Sequence, residues 1–237
     1  MLATVDQVRS WNDDFAVRAG QHAAVALARV DGLSDVDRAA LGRSLAIFQL
    51  GESGTGEHLI AAARTAGASD SYVATMRLFV REEQEHARLL SLVLKAIGHP
   101  TRSRHWSDKV FVFIRRLKSL RTEVLTLLVA ELIALRYYSA LRDGVASPSL
   151  ASVFACIHAD EIRHVEFHAQ TLAPLLRRWP TPIRWMVRLL WNTLVTGTSV
   201  LVALDHRNAL RLAGVGSREF VADVWHLRND LDHRLFG

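Results

Sequence analysis

The chain has 237 residues, half of them hydrophobic and 22% charged, with a net charge of +5. That size suits one domain with a substantial core, and the composition excludes a disordered chain. The positive excess is arginine scattered along the sequence, which reads as solvated helix faces rather than a nucleic-acid-binding patch.

Helical periodicity dominates and no alternating strand pattern is present. A first helix is predicted over roughly residues 4–29, ended by Asp31-Gly32. Ser34 caps a second that runs to about Thr65, where Gly67 stops it. Asp70 caps a third, closed by Gly98-His99-Pro100. Ser107 caps a fourth that continues to Arg142, before Gly144. Ser147-Pro148 starts a fifth that reaches about Ala173, and Thr181-Pro182 starts a sixth that reaches about Leu212. Ser217 opens a short last helix. The reading is a single all-α domain over 1–237. Within it, 35–173 forms a four-helix bundle with additional N- and C-terminal helices. Residues 181–237 exceed what a bundle needs and suit a pocket cap or a dimer interface.

Three local features qualify this picture. Gly51, Gly54 and Gly56 each weaken the second helix by about 1 kcal/mol relative to alanine, so it is distorted there or closely approached. The 16 apolar-rich residues between Arg188 and Asp205 include five polar ones. A membrane span needs about 20 apolar residues, so this stretch reads as a buried helix, with a helix lying in a membrane interface as the alternative. The start of the chain lacks a signal-peptide pattern, and Cys156 is the only cysteine, a small apolar residue. Both fit a reducing cytoplasm.

Two bundle helices carry Glu-x-x-His, at Glu83–His86 and Glu161–His164. A spacing of i and i+3 puts both side chains on one helix face. The other two bundle helices offer Glu52 and Glu131, which precede these motifs by 31 and 30 residues. Counted from their turns, Glu52 and Glu83 are level, as are Glu131 and Glu161, each about 20 Å from its hairpin end. Docking the hairpins gathers six side chains at mid-bundle. Glu57 is the rival for Glu52, but its register is several residues off. Four carboxylates buried together require compensation. Two divalent cations supply it, and carboxylate with imidazole suits iron or manganese.

One glutamate, Glu-x-x-His, one glutamate, Glu-x-x-His resembles the di-iron carboxylate proteins of the ferritin-like superfamily. The stretch Asp160-Glu161-Ile162-Arg163-His164 also looks like the signature of bacterial multicomponent monooxygenase hydroxylases. The resemblance covers about 115 residues, Glu52 to His164, and the first motif departs from it with Glu85 where the signature has arginine. It implies a ferritin-like bundle holding two iron ions, or a manganese–iron pair, with O₂ as co-substrate. It further implies that Asp160 hydrogen-bonds a ligand histidine.

His158 is a possible extra ligand beside this set, with a core or surface histidine as the competing reading. His168, one turn beyond His164, reads as structural. Tyr138, two turns beyond Glu131, is either a pocket or redox-active residue or plain packing. Glu82, Glu85 and Glu166 read as solvated. Three functions follow. The first is a di-iron oxidoreductase that hydroxylates, N-oxygenates or desaturates a small apolar substrate, served by an external electron donor. The second is iron storage or peroxide detoxification. The third is a non-catalytic helical binding module. Homodimerisation and peripheral membrane contact are compatible with the first.

Overall fold

A computed structural model describes residues 5–21, 27, 30, 32–103 and 119–237, and among these the chain is helical with no strand. The helices are α1 (Val5–Arg18), α2 (Asp35–Glu52), α3 (Glu57–Thr65), α4 (Asp70–Ala96), α5 (Leu120–Gly144), α6 (Pro148–Leu176), α7 (Thr181–Asp205), α8 (Arg207–Leu212) and α9 (Ser217–Phe236). The Ser107 cap, and the part of the fourth predicted helix before residue 119, lie outside the described residues.

Local chemistry sets most boundaries. The Ser34, Ser69 and Ser119 hydroxyls accept from the backbone N–H groups of Asp37, Tyr72 and Thr122, satisfying donors that a helix start leaves unpaired, so Ser69 and not Asp70 caps α4. Pro148 begins α6 at a position where its missing N–H costs nothing. Four expected boundaries move. α1 stops at Arg18 instead of about residue 29, because Gly20 turns left-handed at φ +94°. The helix expected over 35–65 is two, α2 and α3. α6 passes through Pro174 to Leu176, and the sixth predicted helix breaks at His206 into α7 and α8.

The α2–α3 break matters most for the site. Gly56 adopts φ +66°, and a Cβ there would lie 2.4 Å from Val80 Cγ2 on α4. Both expectations for the glycine stretch therefore hold: the helix is distorted, and a neighbour approaches its backbone. The break leaves Glu52 as the last residue of α2, at the negative end of the helix dipole, where a carboxylate is disfavoured.

Packing follows the apolar faces. α2 pairs with α4, α5 pairs with α6, and α4 also meets α6. α1 lies along α4, with Val8 and Phe15 buried. α9 packs against α5, α6 and α7. α5 and α7 are each long and apolar enough to cross a membrane, but 78% of the apolar window of α5 is buried inside the protein, against 22% for α7. α5 is a core helix. α7 buries Trp191, Val195, Ser199 and Ala203 and leaves its other side open.

Candidate metal centre

Glu52, Glu83, His86, Glu131, Glu161 and His164 converge where α2, α4, α5 and α6 meet. Glu52, Glu83, His86 and Glu161 place one ligand-type atom each within 4.8 Å of one another, and so do Glu83, Glu131, Glu161 and His164. Glu83 and Glu161 belong to both groups. The arrangement is two overlapping donor sets, one completed by Glu52 and His86, the other by Glu131 and His164. Glu57 is outside both, exposed at the start of α3.

Imidazole orientation is fixed from behind. His86 Nε2 donates to Asp160 Oδ2 at 3.2 Å, and His164 Nε2 donates to Glu82 Oε2 at 2.9 Å. Each ring therefore turns Nδ1 toward the carboxylates. His164 Nδ1 lies 3.0 Å from Glu83 Oε1, 3.4 Å from Glu161 Oε2 and 3.5 Å from Glu131 Oε2. His86 Nδ1 lies 3.4 Å from Glu161 Oε1. Glu83 Oε1, both Glu161 oxygens and His164 Nδ1 are buried without an aligned hydrogen bond. Buried polar atoms are rarely left in that condition, and several converging on one point are what cation ligation would satisfy.

Glu82 corrects the sequence reading. It is buried, not solvated, and carries out for His164 what Asp160 does for His86. Arg163 ties the two together: Nη1 reaches Asp160 Oδ1 at 2.7 Å and Nη2 reaches Glu82 Oε1 at 3.0 Å, while Nε pairs with Asp14 of α1 at 3.1 Å. A signal for Glu82 existed in the sequence, since both Glu-x-x-His motifs are preceded by an acid. Glu85 pairs with Arg88, and Glu166 with Arg234, nearer the surface.

Charge regulation inside the cluster follows from burial and crowding. Burial, then the charges of Glu83 and Glu161, hold Glu52 well above the carboxylate range. Burial and the charge of Glu161 do the same to Glu131. Glu161 goes the other way: burial opposes its ionisation, but the close approach of Glu131, His164 and His86 lowers its pKa. Burial opposes the charge on His86, but the hydrogen bond to Asp160 and the adjoining carboxylates of Glu161 and Glu83 outweigh it, lifting the ring to about 9. His164 is raised against burial by its surrounding carboxylates. The cluster thus holds protons that a bound cation could displace.

Three other residues are placed plainly. His158 does not join the cluster. It is half-buried, its Nδ1 accepts from Arg142 of α5 at 3.0 Å, and it belongs to neither donor set, so its role as an extra ligand is dropped. Tyr138 is fully buried and does not line the cavity; its hydroxyl donates to Glu52 Oε1 at 3.1 Å. His168 is fully buried against Phe79 and Phe167 with no hydrogen bond at either nitrogen, and burial drops its pKa to about 3.

Beside the cluster lies a cavity of about 290 Å³. Glu52, Glu83, Glu131 and Glu161 form its inner end. Its walls are mostly apolar, including Phe48, Phe79, Ile133 and, from α7, Leu194, Leu201 and Val202. The α2–α3 connection borders it at Gly54, Thr55 and Gly56. Comparison with known proteins gives no match: no family model, no curated protein and no solved structure.

Proposed function

We propose that the chain is a ferritin-like, non-haem di-iron oxidoreductase that oxidises a small apolar substrate with O₂. The observation that carries the proposal is the pair of overlapping donor sets sharing Glu83 and Glu161. The donors fit the group: four carboxylates and two imidazole nitrogens without thiolate match iron, or a manganese–iron pair, and the four negative charges are offset by two divalent ions. Glu83 and Glu161 would contribute to both metal positions, Glu52 and His86 to one and Glu131 and His164 to the other. Bound there, ferrous iron would supply the reduction of O₂ and the oxidising power that no amino-acid side chain offers.

The chain's own residues have narrower tasks. Asp160 and Glu82 hold the Nε2 protons of His86 and His164, which keeps Nδ1 available to a metal. Tyr138 stays protonated because burial and the charge of Glu52 raise its pKa, and its O–H fixes Glu52 Oε1. The mostly apolar cavity walls would seat a hydrophobic substrate against the four carboxylates. That cavity favours oxidation of an organic substrate over iron storage. An external electron donor completes the proposal, since oxidation of a substrate by O₂ at such a site would consume electrons that the chain's own side chains do not supply.

Anaerobic loading with ferrous iron followed by exposure to air tests it. The expected result is two iron ions per chain and O₂ consumption that accelerates with an apolar substrate and a chemical reductant. Continued iron uptake far beyond two per chain would point to storage instead.

A further inference from the structure

We infer that the open side of α7 is a docking surface for an anionic phospholipid membrane, with the helix lying flat in the interface. Of the eleven strongly exposed large apolar side chains among the described residues, eight lie on α7, so the exposure is concentrated rather than scattered. Ile183, Met186, Leu190, Thr193, Gly197, Leu201 and Leu204 recur at helical spacing as one uncharged stripe. Trp185, 64% exposed, stands near its start.

Two observations select the occupant. Charge is the first: residues 177–212 contain six arginines (Arg177, Arg178, Arg184, Arg188, Arg207 and Arg211) against a single acid, Asp205. Arg177 and Arg178 are exposed just before α7, and Arg207 and Arg211 just after it. An apolar stripe with exposed cations at both ends and a tryptophan at its border matches a lipid headgroup boundary. The second is the anchoring of the opposite side. Trp191 Nε1 donates to Leu125 O at 3.0 Å, and Arg228 of α9 bonds Asn192 at 2.7 Å. Asp232 of α9 also takes Arg188. That side is packed on α9, which carries Asp223, Asp230 and Asp232, so α7 is not placed to span a bilayer but can present its other side to one.

Leu201 belongs both to this stripe and to the cavity wall. The cavity therefore borders the docked surface, which gives an apolar substrate a route from the bilayer; that clause alone rests on the oxidoreductase reading.

Co-sedimentation of the metal-free full chain with vesicles tests the surface independently of catalysis. Vesicles of phosphatidylcholine are compared with vesicles containing one-third phosphatidylglycerol, and oligomeric state is measured without lipid. The expected result is a monomer that binds the anionic vesicles, with binding weakened by salt. Replacing Met186→Asp and Leu190→Asp, both solvent-exposed, is expected to cut partitioning roughly tenfold or more without loss of helicity. Absence of binding to either vesicle overturns the inference. So does a lipid-free dimer that the double variant dissociates, which would make the stripe a contact between copies. A failure of iron loading would leave this result untouched.

Discussion

Glu82 and Asp160, one residue ahead of the glutamate in each Glu-x-x-His motif, are held by the same guanidinium, that of Arg163. Each then orients the histidine of the opposite helix. The two halves of the cluster are thereby locked to each other from outside the donor sets. Glu82→Gln keeps the shape but weakens the acceptor for His164. Metal affinity, measured by competition with a chelator, is expected to fall about 10- to 100-fold. Unchanged affinity would show that the Glu82–His164 contact does not support metal binding.

Proton release on metal binding follows from the raised histidines. His86 titrates near 9, so at neutral pH it holds a proton that a ligand must give up. Affinity is expected to rise at least about tenfold per pH unit between roughly pH 6 and 8, with about one proton or more released per chain. In the metal-free protein the sign for stability is opposite. A raised folded pKa stabilises fully below about 6.5 and loses that contribution as pH rises through about 9.

His168 acts at the acid end. Its folded value of about 3 lies below the free value of about 6.5, so burial keeps it neutral while the unfolded chain protonates. Its contribution is complete above about pH 6.5 and is lost as pH falls toward 3. Relative to His168→Leu, the wild type is expected to lose about 2 kcal/mol of unfolding free energy between pH 7 and 5. Denaturant titration of both proteins at both pH values checks this; parallel pH dependence would remove His168 as the cause.

Gly56→Ala is expected to destabilise by about 2 kcal/mol, since it forces a Cβ into a left-handed residue and against Val80. Adding Val80→Ala should relieve the clash but not the backbone strain. Thermal melts of the two variants separate the two costs.

The six converging residues were legible because their placement depends on local quantities. Helical spacing puts Glu83 with His86 and Glu161 with His164, and distance from a turn levels Glu52 and Glu131 with them. The all-helical class was equally readable from periodicity. What lay across the interface was not readable in the same way. Glu82 looks like a surface charge on its own helix, and only the opposing His164 and Arg163 make it internal. The end of α1 was misplaced because Gly20 sits within an otherwise apolar-periodic run. The glycines flanking Glu52 announced a disturbance, but not that Gly56 would adopt a positive φ and separate α3 from α2.

Metal content per chain tests the central claim most directly. The full chain, reconstituted anaerobically with ferrous iron and freed of excess, is measured by elemental analysis beside Glu52→Ala and Glu161→Ala. The account expects two ions in the wild type, a loss confined to one position for Glu52→Ala, and loss of both for Glu161→Ala, whose carboxylate belongs to both donor sets. A wild-type content that stays near zero, or stoichiometry unchanged by Glu161→Ala, would contradict it.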